Sequence, residues 1–150
     1  MTETQPTAAL VQRVLPAPPD AVFAEWIDPE ALAEWMCPRP ARATHIELDA
    51  RVGGLLRLDI VDDETEMVVT GRFLALDRPN HLQFTWTCST WPTESSDSVV
   101  TVTLQPHGGD ATLMTIRHTL VPPDQVANHQ HGWEQIGAQL AQQLRISHTH

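Results

Sequence analysis

The sequence predicts one α+β domain, an antiparallel meander of strands closed by a single long amphipathic helix. Three observations predict it. From Thr44 to Leu120 apolar and polar residues alternate with a period of two, and the interruptions are turn-forming clusters too short to hold crossover helices. From Val126 to Leu144 the period becomes helical. A chain of 150 residues with 41 % hydrophobic content suits one core, so residues 1–150 are expected to form a single domain with its packed part at about 8–145.

The elements follow in order. Ala8 to Leu15 alternates weakly and reads as a strand, closed by Pro16-Ala-Pro-Pro. In the helix that follows, Asp20 sits in the opening turn and Val22, Phe23, Trp26 and Ile27 share one face. Asp28-Pro29-Glu30 starts a second helix with a capping side chain, a proline whose missing N–H does no harm, and an acid at the positive end of the dipole. Leu32, Trp35 and Met36 form its apolar stripe, and Pro38 and Pro40 end it.

Six strands are expected next, centred on Ile46–Leu48, Leu56–Ile60, Met67–Leu76, Leu82–Cys88, Val100–Leu104 and Met114–Leu120. The breaks between them are Gly53-Gly54, Asp62-Asp63-Glu64, Arg78-Pro-Asn80, the stretch from Trp91-Pro92 to Asp97, and His107-Gly-Gly-Asp110. Each strand carries one apolar face, the last including Leu120. In the closing helix Val126, His129, Trp133, Ile136, Leu140 and Leu144 fall on one side, which fits a helix lying on the sheet.

Nine Arg, no Lys and nineteen acidic residues give a formal charge of −10. Without a basic stripe to displace counterions from phosphates, nucleic acid and anionic membranes are poor partners. Cys37 and Cys88 are too few for a disulfide framework, and the N-terminal segment has neither a basic nor an apolar leader region, so a cytoplasmic protein is expected.

The inward faces are rich in large rings: Trp26, Trp35, Trp86 and Trp133, with Phe73 and Phe84. Such a set either fills the interior or lines a pocket, and periodicity is the same in both cases. If a pocket forms, its wall is expected from Leu58, Ile60, Phe73, Phe84, Trp86, Cys88, Met114, Ile116, His118, His129, Trp133 and Ile136. Among these His118 stands where an apolar residue is expected, as a core histidine bonded within the protein, an anchor for a ligand's polar group, or a weak candidate acid–base catalyst. His129 and His131, two apart on a helix, point to opposite sides and cannot share a metal ion. No nucleophile motif, paired carboxylate, calcium loop or phosphate loop is present, and Glu25, Glu34 and Asp59 fall on polar faces, so no catalytic group, metal or cofactor is expected. Gly53-Gly54 suits a positive φ or a bulge where the sheet bends.

The order of Asp28-Pro29-Glu30, Trp35-Met36-Cys37-Pro38, Gly53-Gly54, His81-Leu-Gln-Phe-Thr-Trp86, Ile116-Arg117-His118 and His129-Gln-His-Gly-Trp133 resembles the activator of heat-shock protein 90 ATPase-like branch of the START/polyketide-cyclase (SRPBCC) superfamily, from about Val11 to Leu144. The resemblance implies a helix-grip, Bet v 1-like fold: a seven-stranded curved antiparallel sheet wrapped around the C-terminal helix, enclosing a hydrophobic cavity. It also implies that Trp35 closes one end, that Gly132 lets the helix approach the sheet, and that Trp86, His118 and Trp133 line the interior. Family members bind lipids, polyketides and other hydrophobic molecules, and some transform them. Met36 and Cys37 depart from the family's aromatic and glycine between Trp and Pro.

Three functions are therefore weighed. The first is binding of a lipid, aromatic or polyketide-like molecule in an internal cavity. The second is a cavity cyclase or hydrolase using His118. The third is a protein-interaction role, by homodimerisation or chaperone stimulation, for which Trp91, expected to be exposed, is the surface hint.

Overall fold

In a computed structural model describing residues 8–63, 65–91 and 97–147, the elements appear in the expected order. Strand β1 spans Ala9–Leu15, helix α1 Pro19–Ile27 and helix α2 Pro29–Trp35; then come β2 Arg42–Leu48, β3 Leu55–Asp62, β4 Thr65–Asp77, β5 His81–Cys88, β6 Ser98–His107 and β7 Ala111–Thr119, a 3-10 turn at Pro123–Gln125, and helix α3 Val126–Ser147. The strands form one antiparallel sheet in the order β1-β7-β6-β5-β4-β3-β2. Sequential strands are neighbours throughout the meander, and only β1 is displaced, joined to β2 across the sheet by α1 and α2. Helix α3 packs on the curved sheet, which is the helix-grip arrangement.

Local chemistry accounts for the joints. The Asp28 carboxylate accepts the Glu30 N–H at 3.0 Å, with Pro29 at the first helical position. Gly53 has φ +85°, and a Cβ on Gly54 would lie 2.0 Å from the Asp49 carbonyl oxygen, so the Gly pair makes the turn into β3. Gly71, inside β4, is pressed closer still: a Cβ there would lie 1.8 Å from the Thr85 carbonyl oxygen on β5. At the free edge of β1, the Gln130 side chain from α3 accepts the Leu10 N–H and donates to the Leu10 carbonyl, both at 2.8 Å.

Leu120 departs from the expected inward face. β7 ends at Thr119, and Leu120 adopts φ +60° and is 60 % exposed, because the left-handed residue turns the chain away from the sheet toward Pro122. Gly132 does not set the approach of helix to sheet either. A Cβ on Gly132 would meet the Pro38 ring at 3.5 Å and no sheet residue, and one on Gly137, which does face β1 and β7, would meet the Arg13 and Met114 side chains at ordinary contact distances of 3.5 and 3.9 Å.

Candidate ligand-binding cleft

Burial along β5 rises toward one end of the sheet's inner face. Exposure goes from 0 % at Leu82 and 1 % at Phe84 to 7 % at Trp86 and 8 % at Cys88. The core is filled at one end and loosens at the other. There a cleft of about 390 Å³ opens between the first half of α3, the ends of β3, β4 and β5, and the Met36–Ala41 segment after α2. Register explains which side chains meet in it: Ile60 pairs with Met67 and Val69 with Cys88, all on the same face.

Of the thirteen side chains expected at a pocket, Ile60, Trp86, Cys88, His129, Trp133 and Ile136 border this cleft. Leu58, Phe73, Phe84, Met114 and Ile116 are instead buried in the filled part, away from it. Alternation fixes the face of a strand and not the depth along it. Trp35, expected to close one end, lies edge-on against Trp26 with ring centres 4.8 Å apart, and its indole N–H donates to Glu25 at 3.1 Å. That contact also removes Glu25 from the purely polar face, because the side chain is half-buried.

His118 does not border the cleft; it is the centre of a buried hydrogen-bond chain. The Trp133 indole N–H donates to His118 Nδ1 at 3.0 Å, which therefore carries no proton. His118 Nε2–H then donates to Ser98 Oγ at 2.7 Å, and the Ser98 hydroxyl donates to the Trp86 carbonyl at 2.6 Å. Both ring nitrogens are engaged in one tautomer. Burial, and secondarily the neighbouring His129 ring at 5.1 Å, push the His118 pKa down to about 3, so the imidazole is neutral at physiological pH.

His129 is also held neutral by burial, although the Gln125 carbonyl, which accepts from Nδ1–H at 2.9 Å, opposes the shift. The same cause raises the Cys37 thiol to about 11 against the pull of Arg39, which leaves it protonated. The cleft therefore presents the neutral His129 imidazole, the Cys37 thiol and indole groups among apolar side chains, with Arg39 and Asp62 also bordering it, and no thiolate–imidazolium pair. Among the described residues no three His, Cys, Asp or Glu converge as a metal site.

Several cleft residues lie outside the set expected at a pocket: Met36, Cys37 and Pro38 in the turn, Met67 and Val69 on β4, Thr90 and Trp91 after β5, and Asn128 on α3. Trp91 corrects the surface reading. Its N–H donates to the Cys88 carbonyl at 3.0 Å, a tight turn that folds the ring back onto His129 with centres 5.5 Å apart, and it is 7 % exposed. An aromatic in a polar loop carries no periodicity from which to foresee this.

The turn is tied to the helix by one side chain. Gln139 of α3 donates to the carbonyls of Trp35 at 2.9 Å and Cys37 at 2.7 Å, and accepts the Arg39 N–H at 3.1 Å. Replacing Gln139 with Leu orphans all three groups, and a loss of roughly 1–3 kcal/mol in urea unfolding is expected. An unchanged midpoint would show that water replaces the amide at no cost.

The family model for activator of Hsp90 ATPase homolog 1-like proteins matches residues 16–145. The chain belongs to this family. Its fold recurs in solved structures: the Chromobacterium violaceum protein CV1439, at 28 % identity, covers 93 % of this chain and 98 % of its own with a TM-score of 0.79. The Nitrosomonas europaea protein NE0264, at 22 % identity, covers 96 % and 97 % with a TM-score of 0.81, and CalU16 of Micromonospora echinospora, at 22 %, covers 91 % and 75 % with a TM-score of 0.69. Among curated proteins none matches the sequence. No helix among the described residues is long and apolar enough to cross a membrane. The family assignment agrees with the motifs read from the sequence, and so does the helix-grip fold they imply.

Proposed function

We propose that the chain binds a hydrophobic small molecule, lipid, aromatic or polyketide-like, in the cleft between α3 and the β3–β5 end of the sheet. The carrying observation is the cleft itself. Its volume of about 390 Å³ is walled by Trp86, Trp91, Trp133, Ile60, Ile136 and the thioethers of Met36 and Met67. Pockets for small ligands are typically apolar, of roughly 300–1,000 Å³, with a few polar groups. The His118 acid–base alternative lacks support, since both nitrogens are bonded within the protein and the ring lies off the cleft. Chaperone stimulation does not follow from the family's name, and Trp91, turned inward, no longer argues for a surface partner.

Three tryptophans on the cleft wall make the test direct. Titration with a panel of fatty acids, polycyclic aromatics and polyketide-like quinones is expected to give a saturable change in tryptophan emission for at least one class. Native mass spectrometry of protein purified from its own host is expected to carry the same class of mass. No response to any member, together with bare protein in the spectrometer, would overturn the proposal.

A further inference from the structure

Two buried indole N–H groups, those of Trp26 and Trp86, have no hydrogen-bond partner among the described residues. Folded proteins leave few such donors unpaired, because a shielded N–H without an acceptor is costly. The two differ in position. Trp26 packs among Trp35, Phe84 and Trp133 and does not border the cleft, whereas Trp86 is part of the cleft wall and 7 % exposed.

The rings beside Trp86, His118 at 5.7 Å and Trp133 at 5.4 Å, belong to a hydrogen-bond chain whose members are already engaged with one another. His118 Nδ1 takes the Trp133 N–H, Ser98 Oγ takes His118, and the Trp86 carbonyl takes Ser98. Among the described residues nothing accepts the Trp86 Nε1–H, and a ligand in the cleft that Trp86 lines can supply the acceptor. We infer that the cleft selects ligands bearing a neutral hydrogen-bond acceptor, a ring carbonyl above all, and that the Trp86 indole N–H is the group that recognises it. The inference rests on the cleft-binding reading above and names the ligand chemistry within it.

The preference for a neutral acceptor follows from a wall without a net charge of one sign. Its imidazole His129 and thiol Cys37 are uncharged, and the Arg39 guanidinium at the rim already donates to the Glu34 carbonyl at 2.8 Å. The charged side chains that border the cleft, Arg39 and Asp62, are of opposite sign, so a carboxylate drawn to one is opposed by the other and loses its hydration, whereas a carbonyl loses little and gains a bond in a dry setting. Nε1 is covered in the free protein, so a ligand reaches it by displacing neighbouring side chains. Met36 and Met67, unbranched and flexible, stand on the same wall and can yield.

Fluorene and 9-fluorenone share one tricyclic frame and differ by CH₂ against C=O. Burial alone favours fluorene, the more apolar of the two. Equilibrium dialysis is expected to show the opposite for the native protein, 9-fluorenone binding roughly tenfold more tightly. Trp86→Phe should erase that preference, and Trp26→Phe, which removes the other unpaired N–H, should keep it. In ¹H–¹⁵N spectra of the native protein the Trp86 indole proton should move downfield with 9-fluorenone and not with fluorene, a readout that stands even where a variant fails to fold. Equal binding of the two, a preference that survives Trp86→Phe, or an unmoved indole proton overturns the inference and leaves cleft binding intact. Binding of neither compound, with no response to the wider panel, removes the cleft reading as well.

Discussion

Stability toward urea is expected to fall as the pH drops below 6.5, the ordinary histidine value, with a component that belongs to His118. The native ring, kept neutral by burial, takes up its proton only near pH 3, while in the unfolded chain it does so at about 6.5. Between those values the unfolded state binds a proton that the native state refuses. Protonation therefore draws the equilibrium toward unfolding; the contribution is fully present above pH 6.5 and lost on the way down to about 3. A single such group sets a slope of about 1.4 kcal/mol per pH unit in that window. His129, displaced in the same direction, adds to it. Carboxylates also titrate at the acid end, so the comparison is made against His118→Gln. That variant should be less stable at pH 7.5 by about 3 kcal/mol, because it disturbs the chain from Trp133 to the Trp86 carbonyl in a fully buried site. Its stability should also depend less on pH between 6.5 and 4. Parallel pH profiles for the two proteins would contradict a neutral, proton-refusing His118.

Gly71→Ala is expected to be at least as damaging, at about 3 kcal/mol or more in a urea titration. The added methyl would stand 1.8 Å from the Thr85 carbonyl oxygen and 2.8 Å from its carbon, and both are backbone atoms of the neighbouring strand. No side-chain rotation relieves that. Strands β4 and β5 are already irregular here: the Arg72 N–H is taken by the Thr85 hydroxyl at 2.9 Å, and the register shifts between Phe73 and Ala75. The alanine must push β5 outward, and Trp86, the residue after Thr85, must move with it. A loss of stability accompanied by an altered Trp86 indole resonance is the expected pair of results. A variant as stable as the native protein would mean that the strands can separate here without penalty.

The two sites differ in how far the sequence disclosed them. Alternation placed His118 on the inner face of β7, and its company of Trp133 followed from the helix period, so the buried pair was foreseeable. The third member was not, because Ser98 sits at the first residue of a strand, where alternation has barely begun. Gly71 was not read in advance, although a glycine inside a strand is a mark of close backbone approach. The meander, the Asp28 cap and the Gly53-Gly54 turn were legible for the same reason: each is a local preference written in adjacent residues. The cleft was less so. Its position depends on where the core runs out of side chains to fill it, and Leu58 and Ile60, two residues apart on one face, fall on opposite sides of that limit. Met36, Cys37 and Trp91 reach the cleft through turns, where no period exists to read.

The Gln130 amide on the free edge of β1 bears on how copies of this chain can meet. An exposed edge strand offers outward N–H and C=O groups on which a second molecule can extend the sheet. At Leu10 both groups are already occupied by a side chain from α3, and Glu134, one turn along, accepts a further bond from the same amide at 2.9 Å. An incoming strand would have to displace the amide to make a rung at Leu10, and the helix that carries Gln130 packs against β1. At that end of the edge, sheet extension is thus opposed by an intramolecular competitor that is always at hand, whatever the protein concentration.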